Sequence, residues 1–194
     1  FTAQHATGSP ATARLYGHGI KGLLVFSFPI VLLMSAFAGE GLRLWLGPEY
    51  AMRSIAVMRW LTAGLFVYSL TYVPYSFLQG TGRADKPAKL QVCEFVIYVV
   101  FSSLMIRAFG LPGAGMAWFT RSVIEAVIMC ALAHRHVPDS LRDVVRSGAM
   151  LAVALLLLAG VDVVSSLWLR MLIVPAEVAL FVLLSWIWLF SADE

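Results

Sequence analysis

Six ionisable residues stand inside long apolar runs of this sequence: Arg59, Glu94, Arg121, Glu125, Asp162 and Glu177. A charge near the centre of a membrane helix costs about 2.5–3.5 kcal/mol on insertion scales, so such residues face a partner, a cavity or water. Arg121 and Glu125 are one helical turn apart. A local ion pair accounts for them, and so does a polar cavity face. A buried guanidinium suits an anionic group such as a phosphate, because its planar fork donates two hydrogen bonds at once. Arg121 is therefore the first candidate to bind substrate and Arg59 the second. Buried acids suit a proton, Na⁺ or a cationic drug, which makes Glu125, Asp162 and Glu177 candidates for ion coupling or a polar layer. Arg59 and Glu94 lie near segment ends, where snorkelling gives them a route to water.

Other familiar chemistry is missing from the spacing. His134-Arg135-His136 supplies two potential metal ligands in a basic loop and no third or fourth. No Ser/His/Asp or Cys/His set is evident, so no catalytic residue, metal or cofactor is expected. Gly80-x-Gly82 and Gly110…Gly113…Gly115 lack the strand–loop–helix context of phosphate loops, and read as turns and sites of close helix approach.

The elements that must hold these residues are membrane helices. The chain has 194 residues, 60% of them hydrophobic and only 13% charged. Soluble domains carry about 25% charged residues, so a soluble enzyme, a disordered chain and a disulfide scaffold are excluded. The formal charge of +3 is spread between apolar runs, with no basic stripe for nucleic acid. Spanning about 30 Å of hydrocarbon takes about 20 apolar helical residues. Six stretches fit: 22–39, 55–77, 90–106, 114–132, 148–167 and 171–190. Runs such as Leu155 to Leu158 exclude the alternation of barrel strands. The expectation is an all-α polytopic membrane protein. It comprises a cytoplasmic segment 1–21, four helices over 22–132, a cytoplasmic loop 133–147, a terminal hairpin 148–190 and a tail 191–194. The start at Phe1 suggests that an upstream part exists. Cys93 and Cys130 lie in apolar runs and read as free thiols.

Eight of the 14 Lys and Arg fall on the side that holds both chain ends and four on the other. By the positive-inside rule both ends are cytoplasmic. Ala84 and Ser140 then face the cytoplasm and Ala51 the opposite side. With the terminal turn placed between Leu169 and Arg170, Asp162 and Glu177 fall at one depth, about 9–11 Å from the outer face, and Arg121 at about the same level. A shared polar layer follows, with at least one of the two acids coupled to Arg121. The alternative is that the acids are neutral or wet and share only a depth.

The order of the punctuation resembles a known family. A Pro-containing helix leads into Leu44-Trp45-Leu46-Gly47-Pro48-Glu49-Tyr50-Ala51. The next ends in Leu78-Gln79-Gly80-Thr81-Gly82-Arg83, and a third leads to Phe109-Gly110-Leu111-Pro112-Gly113-Ala114-Gly115-Met116-Ala117. Over about residues 15–130 this resembles the later part of bacterial polysaccharide exporters and oligosaccharide flippases of the multidrug/oligosaccharidyl-lipid/polysaccharide superfamily. Gly80 and Gly115 stand where that family usually has Ala. The resemblance implies a two-lobed flippase of which this chain is the C-terminal six-helix part. The implied partners are the bilayer, a lipid-linked saccharide and an N-terminal lobe of the same protein, in the bacterial inner membrane and in polysaccharide or lipopolysaccharide biosynthesis. A drug or cation antiporter of the same superfamily and a non-transporting membrane scaffold are the other readings.

Overall fold

The computed structural model describes residues 10–137, 141–164 and 166–190. These are almost wholly helical: α1 (Pro10–Ala36), α2 (Ala38–Leu46), α3 (Pro48–Ser69), α4 (Tyr72–Gly80), α5 (Asp85–Phe109), α6 (Leu111–His134), α7 (Leu141–Val163) and α8 (Leu167–Ser185). A π-helical turn over Trp186–Phe190 completes α8. Six spans are long and apolar enough to cross a membrane, α3 and α4 together making the second. Residues 138–140 of the expected cytoplasmic loop, with the probe position Ser140, residues 1–9, Ser165 and the tail 191–194 lie outside the described residues.

α1 is the centre of the bundle. Tyr16, Ile20, Leu24, Phe28, Leu32 and Ala36 follow one another at helical spacing and are all buried. Phe28 meets Phe66 of α3 at 6.1 Å and Phe181 of α8 at 4.0 Å between ring centroids. α3 lies between α1 and α6, α6 carries α5 on its far side, and α1 carries α7 and α8. The bundle therefore has α5 at one edge and the α7–α8 hairpin at the other.

Two glycine features set the α5–α6 and α3–α6 contacts. Gly110 joins α5 to α6 with φ 66°, which a side chain would strain, and its N–H closes α5 on the Ile106 carbonyl at 2.8 Å. Between α3 and α6 the backbones approach so closely that a Cβ on Gly64 would strike Trp118, and one on Gly115 would strike Trp60 and the Val57 carbonyl.

The helices outrun the apolar stretches that announced them. α1 begins at Pro10, not at Gly22, and so takes in half of the segment 1–21 expected to precede it. The extension is amphipathic, with Arg14 and His18 exposed while Tyr16 and Ile20 are buried. Lys21 is fully buried and pairs with Asp143 of α7 at 2.9 Å. α3 starts seven residues before the expected Ile55, with Pro48 in its first turn and Glu49 at its positive end. α7 ends at Val163 and α8 begins at Leu167, so Leu169 and Arg170, where the hairpin turn was expected, lie inside α8. Ala51 is fully buried, so Tyr50, which is exposed, is the better probe of that end.

Candidate functional site

Two charge clusters lie inside the membrane-spanning bundle. In the first, Asp162 in the last turn of α7 meets Arg59 near the middle of α3, with Nε 3.0 Å from Oδ1. Ser35 of α1 donates its hydroxyl to the same oxygen at 2.9 Å. The start of α3 at Pro48 places Arg59 about 16 Å along its helix at 1.5 Å per residue. The expectation that it sits close to a helix end is thereby corrected. These groups line a cavity of about 490 Å³ between α3, α6 and α7 with α1 as its floor. Trp60 and Phe119 form its aromatic wall, edge to face at 5.4 Å. Arg59 keeps 31% of its side-chain surface exposed and Asp162 21%.

In the second cluster, Arg121 of α6 lies between two carboxylates. Nη2 is 3.2 Å from Glu125 Oε2 and 3.5 Å from Glu94 Oε2 of α5. The guanidinium carbon also stands 5.5 Å from the Tyr98 ring centroid and 5.4 Å from that of Trp118, within cation–π range. Glu125 and Glu94 are buried, and a groove of about 310 Å³ between α5 and α6 runs over Arg121 and Glu94. The i,i+4 pair expected from spacing is present. Glu94 does not snorkel to water but completes the pair from the neighbouring helix.

Arg121 and Asp162 have different direct partners. The partners of Arg121 are Glu94 and Glu125, whereas Asp162 is held by Arg59 and Ser35. Glu177 Oε1 nevertheless lies 4.0 Å from where a Cβ on Gly160 of α7 would stand, two residues from Asp162. Asp162 is one residue from the end of α7, while Glu177 is ten residues into α8, about 15 Å from its start. Glu177 is half-buried, and its Oε2 has no hydrogen-bond partner.

Arg170 was expected at the hairpin turn, and Glu40 was not singled out in the sequence. Arg170 is nine-tenths buried in the first turns of α8, donates to the Ala36 carbonyl at 2.6 Å and pairs with Glu40 of α2 at 3.0 Å. A cation on the last carbonyls of a helix satisfies an orphan acceptor and the negative end of the dipole. Its position just after an apolar run disguised it as a loop residue. Glu94 had a legible signal. Counted from Gly110, it lies sixteen residues back and Glu125 fifteen forward, which aligns the two acids across an antiparallel hairpin. Among the described residues, no three His, Cys, Asp or Glu group closely enough to hold a metal ion. Cys93 and Cys130 are free.

The arrangement offers two chemistries. The first cluster presents a partly exposed guanidinium, a carboxylate, a hydroxyl and two aromatic rings to one cavity. The second encloses one cation between two acids. No family model and no solved structure matches the chain. A Shigella flexneri protein named "Putative O-antigen transporter" is 25% identical over 107 residues, covering 55% of this chain and 26% of that protein. The chain thus corresponds to about a quarter of that relative's length.

Proposed function

We propose that the chain is part of a bacterial inner-membrane transporter that moves a lipid-linked saccharide across the bilayer by alternating access. One helix bundle rocks against another, supplied by an upstream lobe, around a central polar site. The observation that carries this reading is the cavity holding Arg59 and Asp162 inside six membrane-spanning helices. The similarity to a protein named as an O-antigen transporter supports the substrate class. Arg59, with 31% of its side chain exposed beside the cavity, is the residue we assign to the substrate. Arg121, already neutralised by Glu94 and Glu125, serves the α5–α6 pair first.

The test is transport by the full-length protein in liposomes. Carrier-lipid saccharide loaded in one leaflet is followed by its accessibility to an impermeant lectin. Arg59→Gln slows translocation at least about tenfold, the effect of losing one charge-assisted hydrogen bond. Transport at the wild-type rate by Arg59→Gln overturns the assignment. Drug or cation antiport is the second reading, favoured by the two carboxylates around Arg121. Drug-dependent proton movement by the same liposomes, with no saccharide translocation, selects it.

Orientation belongs to the same proposal. With both chain ends cytoplasmic, a cysteine at Tyr50 reacts with an impermeant thiol reagent in intact cells, and one at Ala84 is shielded. The reverse labelling inverts the proposed topology.

A further inference from the structure

The cavity between α3, α6 and α7 combines features that neither a lipid tail nor a simple anion calls for. One wall is aromatic, with Trp60 and Phe119 edge to face at 5.4 Å. The lining also holds a polar group, Ser35, Arg59 and Asp162, tied through a single oxygen, Asp162 Oδ1, among alanines and leucines of α3 and α7. Both contacts to Asp162 fall on Oδ1, so Oδ2 is the acceptor that a ligand hydroxyl would take. A guanidinium at the rim repels an organic cation. A carboxylate beside it works against a bare phosphate. A long alkyl chain gains nothing from three polar groups.

A sugar ring fits all of these. It has an apolar C–H face that packs on aromatic carbon, and a rim of hydroxyls that both donate and accept. Asp162 accepts only, Arg59 donates only, and Ser35 does either, so vicinal hydroxyls can be satisfied without a formal charge on the ligand. The volume of about 490 Å³ lies within the roughly 300–1,000 Å³ of small-molecule sites. We propose that this cavity is a saccharide subsite, with one ring seated on Trp60 and Phe119 and its hydroxyls held by Asp162, Arg59 and Ser35. The proposal rests on the transporter reading for the ligand's source, and names the part of the substrate that the site reads.

The free saccharide tests it without the lipid. The glycan is released by mild acid from the carrier-lipid fraction of the producing cells, so that it bears neither diphosphate nor tail. Its binding to the full-length protein in detergent is measured by titration calorimetry. Wild type binds it, and Trp60→Leu and Asp162→Asn each weaken binding at least about tenfold, the scale of one charge-assisted hydrogen bond or one aromatic contact. Lys89→Gln, on the exposed start of α5, leaves binding unchanged. Phe119→Leu serves in place of Trp60→Leu if the latter disturbs the close contact at Gly115. No binding of the free glycan by wild type, or equal binding by the aromatic and Asp162 variants, overturns the subsite. Translocation of the intact carrier lipid, measured in parallel, keeps the two readings apart. Transport with an insensitive cavity sinks the subsite alone, while a wild type that binds glycan but moves no lipid sinks the transporter.

Discussion

The Arg59 and Arg121 sites are built from the same side chains and reach opposite arrangements. At the junction of α3 with α7, one guanidinium meets one carboxylate, which a serine also holds, and both border a cavity of about 490 Å³. At the α5 edge, one guanidinium is shared by two buried carboxylates and lies against two aromatic rings. Opposite charges in a low-dielectric interior attract strongly, but each has lost its water, so the balance depends on how completely the partners satisfy one another. Around Arg121 two carboxylates and two rings share the cation, with 22% of its side chain left exposed along the α5–α6 groove. Around Arg59 a single carboxylate is the partner, and 31% of the side chain stays exposed beside the cavity. A buried charge in a membrane protein is thus not by itself a substrate contact; what matters is the surface left over after its internal partners are served.

Substitutions can break this contrast. The largest effect is expected at Arg121. Arg121→Ala strands Glu94 and Glu125, and removing one partner of a buried pair typically costs about 3–5 kcal/mol. Folded yield and thermal unfolding in detergent should both fall, and neutralising Glu94 and Glu125 to Gln in the same protein should restore most of the loss. A stable, inactive Arg121→Ala would reverse the assignment of the two sites. Arg170→Met comes next, because it removes the donor on the Ala36 carbonyl and leaves Glu40 without its cation. About 2 kcal/mol of stability is at stake, the usual range for a hydrogen bond to a charged group, and an unchanged unfolding temperature would contradict the anchoring of α8 on α1. Arg59→Gln should cost no more than about 1 kcal/mol, since a third of its surface is solvated and Asp162 keeps Ser35. Its loss should appear in transport instead, and a variant that unfolds would show that Arg59 is as structural as Arg121. The smallest effect is expected at Glu177, whose Oε2 has no partner to lose. Glu177→Gln should shift stability by less than about 0.5 kcal/mol, measured in the same unfolding experiment, and a large loss would reveal a partner for this acid.

Much of the α5–α6 region was legible before any coordinates. Gly110-Leu111-Pro112-Gly113 marks a tight connection, and Arg121 with Glu125 one turn on marks an internal pair. Glu94 completes that pair from a helix joined by a short turn, so residue counting alone was enough to align it. The α3–α7 region was not legible in the same way. Asp162 reaches Arg59 across more than a hundred residues of chain. The hairpin turn was misplaced because Leu167 to Arg170, apolar but for one residue, belong to α8 rather than to the turn. Lys21 belongs to α1 rather than to a segment before it, for a similar reason. A hydropathy run begins where charges stop, whereas a helix continues for as long as its polar residues can face away from the core or find a buried partner such as Asp143.

The sequence alone determined that the chain is helical and crosses the bilayer six times. Backbone polar groups in hydrocarbon must be satisfied within each helix, and that requirement is written directly into the length and apolarity of each run. The tertiary structure alone decided which charges meet. Apolarity sets how far a helix reaches, but its rotation and stagger are set by packing against neighbours. Here those neighbours are the close α3–α6 approach at Gly64 and Gly115 and the burial of α1 at the centre. The same six charges could have formed one layer or two separate sites at equal cost in hydropathy. The packing of α7 against α1 and α3 put Asp162 beside Arg59 and left Arg121 to its own hairpin.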